Sequence, residues 1–432
     1  MKKNLLILLS LLLLPSCLSA KTEVYIGVTG RRASFKKIPV ALAQFLPLRR
    51  ESRNDLEIAF KMREIVRSDL LFSRYFDIKE SPLSVANVII SKESFEFWRK
   101  IGAKYLICAE AADYGKVWTL KGKIYDLKSG NKLLERHFQS QKRGLRMGAH
   151  AFSDRIIESL ANARSIASTK IAFANDSTGK KEIYMVDYDG ENLVRFTNNK
   201  TINLLPKWSH DGTKIYYTSY KYSNPDMFEI DLKRGTIKPY IAFQGLNIPG
   251  RDSPDGDKMV MTLSLGKDPS IYLLNRKRMQ LKKLLKTFGV SSSPTYSPDG
   301  KQIAFVSDIS GNPQIYIYEF SSKKAKRITR FNWCDSPAWS PQGEWIAFAG
   351  RKTRREKMNI FITDPTGSIK YRLTQNAGDN ENPTWSADGR FIAFTTTRRS
   401  KREIFIMDSD GSAQHPLVEI DGNSYTPDWS PR

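Results

Sequence analysis

From about residue 170 onward, the apolar residues come in short alternating runs, two large side chains flanking a small one. They read Ile171-Ala172-Phe173, Ile303-Ala304-Phe305, Ile346-Ala347-Phe348 and Ile392-Ala393-Phe394, with looser versions at Ile215-Tyr216-Tyr217 and Met259-Val260-Met261. Successive side chains of a strand point to opposite faces, so Ile and Phe share one face and Ala takes the other. A bulky face needs a small one opposite it, which suits sheets stacked face to face. A further strand follows each run: Ile183-Tyr184, Met227-Phe228, Ile271-Tyr272, Ile315-Tyr316, Ile360-Phe361 and Ile404-Phe405. Four residues beyond each stands Asp187, Asp231, Asn275, Glu319, Asp364 or Asp408. Six polar residues at one register could form a ring of metal ligands, but each sits where a hairpin needs a turn-forming side chain.

Between these runs a short phrase recurs: Trp208-Ser-His-Asp-Gly, Tyr296-Ser-Pro-Asp-Gly, Trp339-Ser-Pro-Gln-Gly and Trp385-Ser-Ala-Asp-Gly. A degenerate copy starts at Asp252 and a truncated one is Trp429-Ser430-Pro431. The serines stand at 209, 253, 297, 340, 386 and 430, at intervals of 44, 44, 43, 46 and 44 residues. A period of about 40–50 residues built from short strands marks a β-propeller with one four-stranded blade per repeat. Six copies predict six blades of WD40-like (PD40) repeats. The repeats begin at Lys170 on a second strand, and Thr426-Pro427-Asp428-Trp429-Ser430 supplies the first strand missing from that blade. Such a closure removes the open sheet edge.

Residues 21–162 have a different rhythm and predict an α/β domain ahead of the all-β propeller of residues 163–432. Thr22 to Val28 and Ile38 to Leu42 read as strands. Asn54 or Asp55 is placed to cap a helix with an apolar stripe of Leu56, Phe60, Ile65, Leu70 and Leu71. A second helix is predicted over Lys92–Ile101. Strands follow at Tyr105–Ala109, Val117–Tyr125 and Leu133–Phe138, the last two joined by a turn at Lys128–Asn131. A helix from Leu145 to Leu160 presents Met147, Phe152, Ile156 and Leu160 toward the sheet.

The start of the chain changes the picture most. Met1-Lys2-Lys3 followed by an apolar run from Leu5 to Leu14 reads as a secretory signal peptide over residues 1–20, too short for a permanent membrane span. Leu14-Pro15-Ser16-Cys17 loosely matches a bacterial lipobox, which would make Cys17 a lipid anchor, although proline before the small residue departs from that pattern. The remaining cysteines, Cys108 and Cys334, lie one per domain among apolar neighbours, as buried unpaired thiols do. No cofactor-binding or metal-ligand spacing occurs. The formal net charge of +24 is spread over both halves, without a compact basic motif interleaved with aromatics. This argues against nucleic acid and for anionic envelope partners.

The chain resembles the TolB family, the periplasmic component of the bacterial Tol–Pal envelope system. The resemblance rests on Glu23-Val24-Tyr25-Ile26, Ile65–Leu70, Trp98–Ala103, Tyr188-Asp189-Gly190-Glu191-Asn192, the repeats and Pro427-Asp428-Trp429-Ser430-Pro431. It implies a non-enzymatic periplasmic adaptor, peripheral to membranes and monomeric, supporting envelope integrity, constriction during division and protein import. One propeller face would bind a Pal-type outer-membrane lipoprotein. The first residues of the mature chain, Thr22, Glu23, Val24, Tyr25 and Ile26, would bind a TolA-type inner-membrane protein. This segment is one residue shorter than the familiar pattern, and an edge strand of the first domain is the other reading of it.

Enzymes from other classes compete with an adaptor. Propeller-bearing peptidases need a Gly-x-Ser-x-Gly elbow, which the chain lacks. Of its histidines, His210 and His415 read as surface residues and His150 as a structural residue of a helix. An exported lactonase or sugar dehydrogenase would hold a calcium ion in the propeller channel with oxygen ligands. Asp252, an acid where other repeats have an aromatic ring, is alone there.

Loops entering the first strands share a face with loops joining second and third strands. They contain Leu246 and Pro249, Ser291 and Ser292, Asn332, Trp333 and Asp335, and Asp379 and Asn380. The family's Pal contacts correspond to Leu246, Pro249 and Ser292, and Trp333 has the size of an interface anchor. Two neighbouring loops carry Arg351, Lys352, Arg354, Arg355 and Lys357, and Arg398, Arg399, Lys401 and Arg402. They set nine basic residues against Glu356 alone. This is either a solvated surface or a landing patch for an acidic partner or lipid headgroups.

Overall fold

A computed structural model describes residues 36–81, 90–141, 144–285 and 289–431. The predicted signal peptide, Cys17 and the strand predicted from Thr22 to Val28 lie outside these residues. Among those described, no helix is long and apolar enough to cross a membrane.

The N-terminal domain is one mixed sheet with helices on both faces. In chain order its elements are β1 (Ile38–Leu42), β2 (Leu46–Pro47), α1 (Arg53–Phe72), β3 (Phe76–Lys79), α2 (Lys92–Lys100), β4 (Tyr105–Asp113), β5 (Val117–Asp126), β6 (Lys132–Gln141) and α3 (Leu145–Ala161). The sheet order is β3-β1-β4-β5-β6, with β2 paired to β4. β1 runs parallel to β3 and β4, and β4, β5 and β6 form an antiparallel meander. Period-two alternation divides the strands between two cores. Val40, Leu42, Ile107 and Leu120 face α1 and α3, while Ala41, Leu106 and Cys108 meet Trp98 of α2.

Two predicted helix faces need correction. In α1 the buried side chains are Ile58, Ala59, Met62, Val66 and Leu70, whereas Leu56, Phe60 and Leu71 are exposed. Spacing of four from 58 to 70 is the true stripe: it keeps Leu70 of the predicted set, Ile65 packs against the same core, and Leu56 and Phe60 fall two positions off it. The cap is Ser52, whose Oγ accepts from the Asp55 amide at 3.2 Å. Asp55 instead receives the Arg49 guanidinium at 2.6 Å and the Asp113 amide at 2.9 Å, which hold its carboxyl well below the usual range. In α3, Phe152 and Ile156 are fully buried and Leu160 packs against the same core, but Met147 faces solvent.

Six four-stranded antiparallel blades follow. Blades 1 to 5 begin with the inner strands Asn203–Trp208, Asn247–Asp252, Ser291–Tyr296, Trp333–Trp339 and Asn380–Trp385. Blade 6 is built from both ends of the region: Ser424–Trp429 is its inner strand, followed by β7 (Lys170–Asn175), β8 (Glu182–Asp187) and β9 (Val194–Arg195). Trp429 is buried there, and its indole donates to Thr169 Oγ1 at 2.9 Å.

The recurring phrase is a turn that locks each first strand to its second. Ser297 Oγ donates to Asp299 at 2.6 Å and accepts from the Gln302 amide at 3.0 Å, and Asp299 also accepts from the Lys301 amide. Gly300 sits at φ +70°, where a side chain would be strained. At the third-strand ends Asp231, Asn275 and Asp364 accept amides of their turns, whereas the Asp187 carboxylate binds Lys170 and Asn192 and that of Asp408 faces Arg74. Asp231 accepts from the Lys233 and Arg234 amides, and Asp364 from the Thr366 and Ile369 amides. Cys108 and Cys334 are free and buried.

Candidate partner-binding face

Each entering loop is hydrogen-bonded to the loop joining the second and third strands of its own blade. Leu246 accepts from the Ser264 amide at 3.1 Å, Val290 from Asp308 at 3.2 Å and Asp379 from Thr397 at 3.0 Å. The Asn332 amide donates to Lys352 at 3.3 Å. The two loop sets therefore form one continuous face, and asparagine supports it. The buried amide of Asn247 donates to Phe243, Gly245 and Pro225 carbonyls at 2.7, 2.9 and 3.1 Å, tying the entering loop to the third strand. Asn203 acts alike in blade 1 and Asn380 in blade 5.

This geometry sorts the face residues. Leu246, Ser292, Asn332 and Asp379 are half-buried, and Trp333 is 38% exposed. Pro249, Ser291 and Asn380 are buried and do not offer their side chains to a partner. Ser291 bonds Ser307 Oγ at 3.0 Å, and the Asn380 carbonyl oxygen accepts from Thr396 and Arg398. Trp333 has the Arg351 guanidinium 5.7 Å from its ring centre, and Arg351 also donates to Asn332 Oδ1. Asp335 is pushed toward the neutral form by burial.

The basic sector is less one-sided than its two loops imply, because other segments contribute acids. Arg399 and Lys401 pair with Glu403, Arg402 with Glu381 at 2.5 Å and Lys357 with Asp379 at 3.5 Å. Arg398 lies 4.5 Å from the Phe405 ring centre and donates to Gln414 at 2.7 Å. Arg354 and Arg355 are exposed and form no ion pair among the described residues.

An apolar rim went unread in the sequence. Tyr222, Phe243, Leu265, Val290 and Ile309 are exposed on the loops of blades 1 to 3, continuing to Trp333 in blade 4. The available signal was a lone large apolar residue in otherwise polar loops of consecutive repeats. These side chains lie on successive loops of one face.

The opposite face meets the N-terminal domain. Phe72 packs 4.9 Å from Tyr188 and 4.7 Å from Phe391. His415 lies edge-on to Phe72 at 6.3 Å, so it belongs to this seam rather than to the free surface. His150 Nδ1 is 2.9 Å from Asp69, whose carboxylate also accepts the Tyr188 hydroxyl at 2.6 Å. Asp69, His150 and Asp189 bring possible ligand atoms within 4.8 Å of one another. Arg146 already bonds Asp189 and Tyr188 already bonds Asp69, so the cluster is an ion network spanning the domains.

In the channel, Asp252 accepts from Arg276 at 2.8 Å and from the His210 amide at 3.0 Å. Asp428 accepts from Arg251 at 2.6 Å and Lys207 at 3.3 Å. Both carboxylates are thus bound to cations of the chain, a poor setting for calcium.

Residues 157–432 match the family model described as the TolB beta propeller domain, and residues 24–133 match the TolB amino-terminal domain. The Tol-Pal system protein TolB of Desulfosudis oleivorans is 31% identical over 243 residues, covering 55% of each chain. That of Geobacter sulfurreducens is 33% identical over 214 residues, covering 49% of this chain and 48% of the relative. The chain thus spans about half the length of the curated relatives it matches. The crystal structure of TolB from Acinetobacter baumannii superposes with a TM-score of 0.76 at 27% identity, covering 92% of this chain and 97% of that one.

Proposed function

This chain belongs to the TolB family, and we propose that it is an exported, non-catalytic adaptor of a Tol–Pal envelope system. In this reading it works in the periplasm, binding a Pal-type outer-membrane lipoprotein with the loop face of its propeller. It binds a TolA-type inner-membrane protein with the Thr22–Ile26 segment. The observation that carries the lipoprotein site is the exposed apolar arc from Tyr222 to Trp333. It borders half-buried Leu246 and Ser292, the positions to which the family resemblance assigns the contact. Apolar anchors bordered by Arg354 and Arg355 suit a partner with an apolar centre and an acidic margin.

The test is affinity capture from the envelope of the source bacterium with the tagged mature chain. The expected catch is a lipoprotein with a peptidoglycan-binding domain, lost when Leu246 and Ser292 are both replaced by glutamate. Capture without such a lipoprotein, or capture indifferent to those replacements, overturns the assignment. Deleting residues 21–26 is expected to abolish capture of the inner-membrane partner and leave the lipoprotein bound.

A further inference from the structure

The fourth, outermost strands of the blades differ in charge around the ring. In blades 2 and 3 they are Gln280–Lys283 and Lys324–Arg327, each paired on one side and open on the other. On these strands and the turns before them, Arg278, Lys282, Lys283, Lys323, Lys324 and Lys326 are exposed. None of the six forms an ion pair among the described residues, whereas neighbouring Lys277 is matched by Asp257 at 2.8 Å. The last hairpins of the two blades, residues 270–283 and 314–327, carry a single acid, Glu319. It is half-buried and accepts the Ser322 hydroxyl at 2.7 Å.

The other blades lack this surplus. In blade 1 Arg234 and Lys238 are matched by Asp231 and Glu229, and in blade 4 Lys370 and Arg372 bond the Gly367 and Thr374 carbonyls. The fourth strands of blades 5 and 6 are two residues long with Arg195 as their single cation, and the turns before them carry Asp410, Asp189 and Glu191. Blades 2 and 3 stand across the ring from blades 5 and 6, which hold the N-terminal domain through His415, Phe391 and Tyr188. The cationic sector is therefore unobstructed. Two neighbouring blades of a ring can rest together on one plane, which blades across the ring cannot. Met279 stands in the same sector, 52% exposed in the blade 2 turn at φ +49°. Blade 1 has Gly235 at that place, at φ +66°. A large apolar side chain offered to solvent from a left-handed position serves neither turn nor core.

We propose that the outer edges of blades 2 and 3 dock on an anionic phospholipid surface. The ammonium groups meet the headgroup phosphates, and Met279 enters between the headgroups. Lysine predominates, and a hydrated point charge suits diffuse attraction to a charged plane better than bidentate recognition of one ligand. Cations interleaved with an exposed apolar side chain fit the membrane interface. Lysine also blunts an open strand edge, but that role asks nothing of Arg278 or Met279 in the turn. The surface is separate from the partner-binding loops and does not depend on the adaptor reading.

Co-sedimentation of the full mature chain with phosphatidylcholine vesicles, with and without about one-third phosphatidylglycerol, tests this. Binding is expected to the anionic vesicles alone, falling steeply between about 50 and 300 mM salt. A chain carrying Lys282→Gln, Lys283→Gln, Lys324→Gln and Lys326→Gln is expected to keep its Tm and bind about a hundredfold more weakly. Lys282→Gln with Lys324→Gln, with a loss of about tenfold, serves if the fourfold variant does not fold. Met279→Ser is expected to weaken binding about threefold or more. Replacing Lys92, Lys100, Lys116 and Lys128, exposed on the N-terminal domain, by glutamine is expected to cost far less. Equal binding to both kinds of vesicle overturns the proposal, as does unchanged binding in a folded lysine variant or in Met279→Ser. An equal loss from the N-terminal replacements also overturns it, and so does equally tight binding to dextran sulfate, which marks a site for soluble polyanions.

Discussion

The imidazole Nδ1 of His150 lies 2.9 Å from the carboxylate of Asp69, with both residues buried where the two domains meet. Burial works against the imidazolium, but the hydrogen bond and charge of Asp69 outweigh it and raise the pKa. Asp187, Asp189, Tyr188 and Arg146 complete the charged surroundings. A raised folded-state pKa means that stabilisation is complete below the unfolded value of 6.5 and is lost as pH rises through the folded one. Thermal unfolding is expected to show Tm falling across that window. His150→Gln is expected to flatten the slope and to cost about 1.5–3 kcal/mol at pH 6. A variant with the parent's pH profile would show that the pair does not couple the domains.

Closure of the ring depends on one strand. Trp429→Ala removes a fully buried indole and its bond to Thr169, and a loss of about 3–5 kcal/mol is expected by denaturant unfolding. Deleting residues 424–432 is expected to lower the melting temperature much further, because it also frees the β7 edge. A truncated chain melting like the parent would contradict the closure.

Neighbouring face positions are expected to respond in opposite ways. Leu246→Glu and Ser292→Glu, at half-buried sites, are expected to weaken lipoprotein binding by about tenfold or more while leaving Tm in place. Asn247→Ala strips three carbonyls of their shared donor and is expected to cost about 1–3 kcal/mol of stability. Calorimetric titration paired with thermal melts separates the two outcomes.

Arg354 and Arg355 can be reversed freely, whereas Arg398 cannot. Arg354→Glu with Arg355→Glu is expected to slow association several-fold at low salt and flatten its salt dependence. Arg398→Glu loses the contact with Phe405 and the bonds to Asn380 and Gln414, so it is expected to destabilise the fold by about 1–3 kcal/mol. Stopped-flow association and melting curves check the pair.

Burial pushes the Cys108 and Cys334 thiols up to about 12. Neither is expected to react with a thiol reagent at pH 8 in the native protein, and both are expected to react on unfolding. Rapid native labelling of either one would place it at the surface.

The blade count was legible because the Ser-Asp-Gly turn is local: serine, carboxylate and glycine act within six residues, so each copy carries its own cause. The face of α1 was harder, since Ile58, Met62, Val66 and Leu70 compete with Leu56, Phe60 and Leu71 on a helix apolar on more than one side. The basic sector misled for a different reason. Glu381 is 21 residues from Arg402, and only the fold brings the two together. Asn380 read as a surface loop residue because nothing local reveals that its amide faces inward. The channel's charge balance depends on Asp428 meeting Arg251 across 177 positions, beyond any window of sequence.

Blade 6 also sets a timetable for folding. The Lys170 amide bonds Ser430 Oγ across 260 residues, so β7 is synthesised long before the strand that will cover its edge. Until then the five later blades can each form from contiguous hairpins, but the ring stays unlatched. Bringing such distant segments together carries a loop entropy that local hairpins avoid, and non-local pairing of this kind is slow. The last step in maturation is therefore expected to be the docking of residues 424–429, with the nascent chain most prone to pair with a neighbour during the interval before it.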